Sequence, residues 1–188
     1  MRKSLVLFAA AAMMLPIGII TAAPAGAATV TQCSAAAGTG TFTPAIAKGI
    51  TAATQGPKRS SKLSSTGTVS GCVGGGVKSG KTKFVQTSKP TPGNCYTLLH
   101  PKASSPGTLG TLTITWNTNA VSTAKGFKIK QTTATEATTT GKITSGKFVG
   151  KTIKGTVSFK PKQGDCVNSD LKSVSYTNKK GTKFVITG

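Results

Sequence analysis

The side chains best equipped for acid–base or metal chemistry are few: Glu136, Asp165, Asp170, one histidine (His100) and four cysteines (Cys33, Cys72, Cys95, Cys166). A Ser-His-Asp hydrolase would have to use His100, which precedes Pro101 in an irregular, proline-punctuated stretch. No G-x-S-x-G elbow is present to expose a nucleophilic serine. Paired-carboxylate chemistry needs two acids facing each other across a cleft. Asp165 and Asp170 instead flank a cysteine and a turn, where aspartates ordinarily bond local backbone. Asp165, Asn168 and Asp170 lack the ligand spacing and the glycine of a calcium loop. No cysteine pair has C-x-x-C spacing and the histidine stands alone, so neither a metal site nor a cofactor is expected.

One motif does match a nucleotide loop letter for letter. Gly75-Gly76-Val77-Lys78-Ser79-Gly80-Lys81-Thr82 fits G-x-x-x-x-G-K-[ST]. That chemistry requires a helix after the loop, to hold phosphate at its N-terminus, and a carboxylate for magnesium. Lys83-Phe84-Val85 reads as a strand, and no acid occurs before Glu136. The segment is expected to be a glycine loop beside a cysteine. Enzyme chemistry of any class therefore has little to work with.

The N-terminus explains the compartment. Arg2 and Lys3 precede an apolar run over residues 5–20, and Ala25-Gly26-Ala27 fits the small-residue rule for cleavage before Ala28. The run is interrupted by Pro16 and Gly18 and is shorter than the ~20 residues that span a bilayer. Residues 1–27 are expected to be a cleaved signal peptide, and residues 28–188 one secreted domain, extracellular or associated with the envelope. In that setting an even number of cysteines reads as two disulfides. Loop entropy mildly favours Cys72–Cys95, leaving Cys33–Cys166, although four cysteines allow three pairings.

Charge is the strongest feature. Lys and Arg number 24 against three acids, a formal charge of +21. The charge remains +19 once Arg2 and Lys3 leave with the signal. Arg59 is then the single arginine. Lysine is a hydrated point charge without a bidentate fork, so base-specific reading is not implied. Solubility needs a net charge of only about 2–8 on a small domain. An excess this large costs self-repulsion and points to anionic polymers as partners: cell-wall or acidic glycans, nucleic acid, or an anionic lipid surface.

The elements that must carry these charges are strands. From Thr108 onward, bulky and small polar residues alternate: Leu112, Ile114 and Trp116 with Thr111, Thr113 and Thr115, then Phe127 and Ile129 with Lys128 and Lys130. The pattern continues through Val157 and Phe159, through Val174 and Tyr176, and ends with Phe184 and Ile186. Turns rich in Gly and Asn separate these runs, and no window is a convincing amphipathic helix; the best candidate, residues 45–54, is broken by Gly49. An all-β, antiparallel domain follows, a β-sandwich or barrel-like, with two disulfides. Gly67-Thr68-Val69-Ser70 and Thr82-Lys83-Phe84-Val85 are echoed by Gly155-Thr156-Val157-Ser158 and Thr182-Lys183-Phe184-Val185, so that an internal duplication is one reading.

The export signal, early Cys33, Gly71-Cys72, the Thr113-Ile114-Thr115-Trp116-Asn117 strand and the run from Ser145-Gly146-Lys147-Phe148-Val149-Gly150 to Gly155-Thr156-Val157 carry a resemblance. They are similar to a group of small secreted β-rich proteins of actinobacteria. The resemblance implies a β-rich fold and export, and it brings no activity with it. The expected function is a secreted, non-enzymatic protein that associates electrostatically with anionic polymers. Its expected contacts are Lys128 and Lys130 on one strand, with Lys147, Lys151 and Lys154 on the segment before Val157. The rival expectations are a protein-binding or structural domain with incidental charge, and a disulfide-stapled hydrolase using His100.

Overall fold

The computed structural model describes residues 29–188 apart from Thr91; the expected signal peptide lies outside the described residues. Ten strands form one antiparallel sheet. They are β1 (Thr29–Ile46), β2 (Lys62–Val73), β3 (Gly80–Gln86), β4 (Thr108–Trp116) and β5 (Val121–Gln131), then β6 (Glu136–Lys142), β7 (Ser145–Gly146), β8 (Thr152–Gln163), β9 (Leu171–Asn178) and β10 (Phe184–Thr187). Among the described residues one short helix, α1 (Cys95–Leu99), lies between β3 and β4. The antiparallel all-β expectation holds, and the sheet closes on itself. β9 returns to pair with β1 through Ala37↔Thr177 to Ile46↔Leu171. β10 fills the remaining gap, pairing with the start of β1 and with Ile153 and its neighbours on β8. The result is a barrel of eight strands.

Alternation decides which wall each residue joins. Leu112, Ile114 and Trp116 are buried inside while Thr111, Thr113 and Thr115 face out. Gly126, with φ +71°, is an extra residue in β5 opposite the Gly110/Thr111 step, and this bulge lets Lys125 and Lys128 both face outward. Gly110 itself is required by a close approach, because a Cβ there would lie 2.4 Å from the Phe84 ring. Outward positions across β2 to β5 are Ser, Thr and Lys almost throughout, with Thr66, Lys83, Thr113 and Thr123 in one cross-strand row. An outer wall of this kind is not the apolar band of a lipid-facing barrel. Among the described residues no helix is long and apolar enough to cross a membrane.

Both disulfides form, and their pairing differs from the entropy-favoured one. Cys33 joins Cys72, with Cα atoms 3.8 Å apart, and Cys95 joins Cys166. The reason is register: Cys33 and Cys72 are direct partners in the β1–β2 ladder. Loop entropy separates alternative pairings by only about 1 kcal/mol, which strand register easily overrides. The nucleotide-loop match also resolves: Gly74, Gly75 and Gly76 form a left-handed turn, and Gly80, Lys81 and Thr82 open strand β3 with no helix after them. Residues 45–54 supply the end of β1 and a turn rather than a helix. The echoed segments are neighbours in both halves, β2 with β3 and β8 with β10, but Gly67 pairs with Thr82 whereas the second pair aligns Lys154 with Val185.

The core is split. One cluster plugs one end of the barrel with Val77, Ile114, Trp116, Ile143, Ile153 and Ile186 around the Cys33–Cys72 bridge. A second cluster, Ile46, Cys95, Cys166, Leu171 and Val174 with Phe42, Leu98 and Phe159, sits under α1 at the other end.

Candidate functional site

The outer wall of β5, β6 and β8 brings together three of the five lysines named as expected contacts, Lys128, Lys130 and Lys154. Lys128 is opposite Thr140, which is opposite Lys154, so the two lysines flank one threonine on adjacent strands. At a strand spacing of ~4.8 Å their backbones are about 10 Å apart. Lys130 faces Thr138 one step along the same wall, and Lys142 faces Thr152 on the opposite side of the row. Sequence reading had missed Lys142, because Glu136–Lys142 has threonine on both faces and no legible alternation.

Lys147 and Lys151 do not join this patch. Both belong to the β7–β8 loop at the plugged end. Lys147 Nζ lies 5.2 Å over the Phe148 ring, a cation–π contact, and Phe148 in turn meets Trp116 edge-on at 5.6 Å. The Lys147 carbonyl accepts from Ser122 Oγ, and Ser122 Oγ accepts from Trp116 Nε1 at 2.8 Å. Lys151 is built into the same loop through its backbone, donating to Phe148 and accepting from Ile143. The loop's backbone and the Phe148 ring are thus spent on closing the barrel.

The acids are all engaged locally. Asp165 Oδ1 accepts backbone N–H groups from Val167, Asn168 and Ser169, which holds the turn around Cys166. Those bonds, that of Asn168 first, keep its carboxyl far below the usual carboxylate range. Asp170 accepts from the Lys48 backbone N–H at 3.0 Å and from Arg59 Nη1 at 2.6 Å, and in that order these lower its pKa. Glu136 pairs with Lys179 at 2.9 Å. His100 caps α1, its Nδ1 2.9 Å from the Tyr96 carbonyl and its ring stacked on Tyr96. Among the described residues no group of three or more His, Cys, Asp or Glu is arranged to hold a metal.

A feature the sequence did not reveal lies inside. Between the two apolar clusters the barrel holds a cavity of about 660 Å³, open at one end. Small inward residues create it: Ala36, Gly40, Ser65, Thr82, Ala137 and Thr139 line the space that larger side chains would fill. Leu112, Phe127, Ile129, Val157, Phe159 and Phe184 supply most of its apolar surface. Tyr176 also lines it, its ring lying against Gly38 and Gly67, where a Cβ would approach its hydroxyl to 2.5 Å.

The connection over residues 87–107 folds across the mouth as a lid. It is fastened on three sides. Cys95 is bonded to Cys166 in the β8–β9 turn, and Cys95 N–H donates to Ala47. Arg59 and Gly93 exchange backbone hydrogen bonds, and Gln131 at the end of β5 donates to the Leu98 carbonyl. Asn94 forms the capping box of α1 with Thr97 and reaches the Gly56 carbonyl at 2.7 Å. No protein-family model, curated protein or solved structure matches this chain.

Proposed function

We propose that the protein is an exported, non-enzymatic adhesion module that holds to anionic polymers of the cell envelope or its surroundings through its lysine-bearing outer wall. One observation carries the reading: of the 22 cationic residues among those described, only Arg59 and Lys179 have a carboxylate partner. The three acids are each committed to a local bond, so the positive field stands almost unopposed. A wall of lysines alternating with threonines presents point charges and hydroxyls over several strands, which suits repeated phosphate or carboxylate groups without demanding a sequence or a fixed ring geometry. Two disulfides and the absence, among the described residues, of a helix able to cross a membrane are compatible with the export this reading requires.

The test is elution from immobilised polyphosphate and from heparin as salt is raised. Affinity should fall steeply with salt, because binding releases condensed counterions. Changing Lys128, Lys130 and Lys154 together to Gln should lower the slope of log affinity against log salt by about one for each contact removed. Retention indifferent to salt, or unchanged in the triple variant and in one that also replaces Lys142, would overturn the reading.

A further inference from the structure

We infer that the barrel interior is a second, independent binding site, for a small amphiphile with an apolar body and a single anionic head. The inference does not rest on polymer binding by the outer wall.

Size and lining set the body of the ligand. A closed eight-stranded barrel has room for either a full set of side chains or one small ligand. Here the inner wall is deliberately small on β1 and β2, and the 660 Å³ that remains falls within the range of about 300–1,000 Å³ typical of small-molecule sites. The apolar lining is aromatic and aliphatic: Phe84, Leu112, Phe127, Ile129, Phe159 and Phe184. An unfilled space against such groups forfeits their dispersion contacts, and a hydrocarbon body restores them.

Hydroxyls such as those of Ser65, Thr82 and Thr139 are spread along the wall, but the charged groups of the lining, Arg59, Lys89 and Lys102, are gathered at one end and set the head. Ser61 is among the lining residues, and its Oγ is buried in the wall with no hydrogen-bond partner. It lies at the lid end of β2, where Gln86 Oε1 accepts from the Leu63 N–H and Arg59 is bound to Asp170. An orphaned buried hydroxyl is costly unless something bonds to it. Lys89 and Lys102 line the mouth, no carboxylate does, and neither lysine has a carboxylate partner among the described residues. A cationic head would meet repulsion there and an anionic head attraction. The opposite end is plugged by Trp116 and Ile114, which are 1% and 0% exposed, so the head stays at the lid and the body points down the barrel. The entrance lies beside residues 102–106, which are exposed and folded over a turn of their own, Ser105 N–H to the Lys102 carbonyl. The rest of the lid is fixed by the disulfide and the bonds to Ala47, Arg59 and Gln131.

Calorimetric titration of the disulfide-intact protein with dodecanoate, dodecyl phosphate and dodecylamine tests this. The two anions should bind saturably at one site, and the amine at least about tenfold more weakly, one ion-pair's worth of preference. Ser65→Phe, which fills the space from β2, should weaken dodecanoate at least about tenfold, the loss expected when an apolar pocket is occupied from within. Lys89→Gln with Lys102→Gln should erase the preference for anions, while Lys128→Gln with Lys154→Gln should leave the saturable site unchanged. Isotope-filtered contacts between the dodecanoate chain and Ile129 and Phe127 in the unmodified protein give an answer even if Ser65→Phe fails to fold. No saturable binding, absence of those contacts, or an affinity that follows the outer lysines and ignores the mouth would overturn the proposal.

Discussion

The two ends of the barrel are built on opposite plans. At the plugged end large side chains meet in the middle: Trp116 is held by Ser122 and covered edge-on by Phe148, and Ile114, Ile143, Ile153 and Ile186 complete the fill. Among the described residues that end has no Asp or Glu side chain. At the lidded end the filling is imported, a strap from the β3–β4 connection tied down by a disulfide and by bonds to Ala47, Gly56 and Arg59, with the Arg59–Asp170 ion pair joining the β1–β2 connection to the β8–β9 turn beneath it. All three acids of the chain sit in the turns or at the strand starts of that end. The difference teaches how a chain with little apolar surplus divides labour: packing secures one end, cross-links and polar bonds secure the other, and space is left between.

Substitutions of large residues should show the contrast most strongly. Trp116→Ala removes a fully buried ring and its hydrogen bond to the Ser122 hydroxyl, and should cost about 3–5 kcal/mol. Phe159→Ala borders existing space and is half-buried, so its cost should be nearer to about 1–2 kcal/mol, the transfer of the ring without a large new void. Urea unfolding midpoints of the two variants measure this directly. Equal losses would mean that the interior packs as one core and that the cavity is not a structural division.

Cross-links come next. Replacing Cys95 and Cys166 together by serine should destabilise by about 2–4 kcal/mol, and local opening should concentrate in residues 87–107. Amide exchange should therefore rise over α1 while Ile114 and Trp116 keep their protection. Uniform loss across both ends would show that the lid is integral to the core rather than strapped over it.

Legibility followed the same division. β4, β5, β8, β9 and β10 were readable because bulky residues alternate with Thr, Ser or Lys, and those bulky residues are the inner wall. β1 was not, since over Ala35–Thr41 its inner positions are Ala36, Gly38 and Gly40, and small residues give no period to detect. The property that hid the strand is the one that leaves the cavity, so the most informative site was also the least visible. The lysine patch was legible to the extent that it lies on a readable strand: Lys128, Lys130 and Lys154 share a wall, whereas Lys147 and Lys151 fall in a loop whose place no pattern fixes. Disulfide pairing was undecided by spacing, because the β1–β2 register that decides it involves the unread strand.

The smallest effect is the one that pH should reveal, and it separates the ends without any mutation. Asp165 and Asp170 both titrate below the ordinary aspartate value of about 3.9, because the native turn and the Lys48 and Arg59 contacts favour their charged forms. The unfolded chain therefore binds protons first as pH falls. Their contribution is fully present above about pH 4–5 and is lost progressively below, toward the native values. Losing negative charge also leaves the lysines to repel one another without relief, which acts in the same direction. Since Asp165 is exposed and Asp170 only half-buried, the effect is a local loosening rather than global unfolding. Amide resonances of residues 46–59 and 164–171 should lose dispersion between about pH 5 and about pH 2 while the Trp116 indole signal persists. Asp170→Asn should cause the Arg59 and Lys48 part of that change already at neutral pH. Simultaneous loss at both ends, or a lidded end indifferent to acid, would show that the carboxylates do not hold the connections of that end.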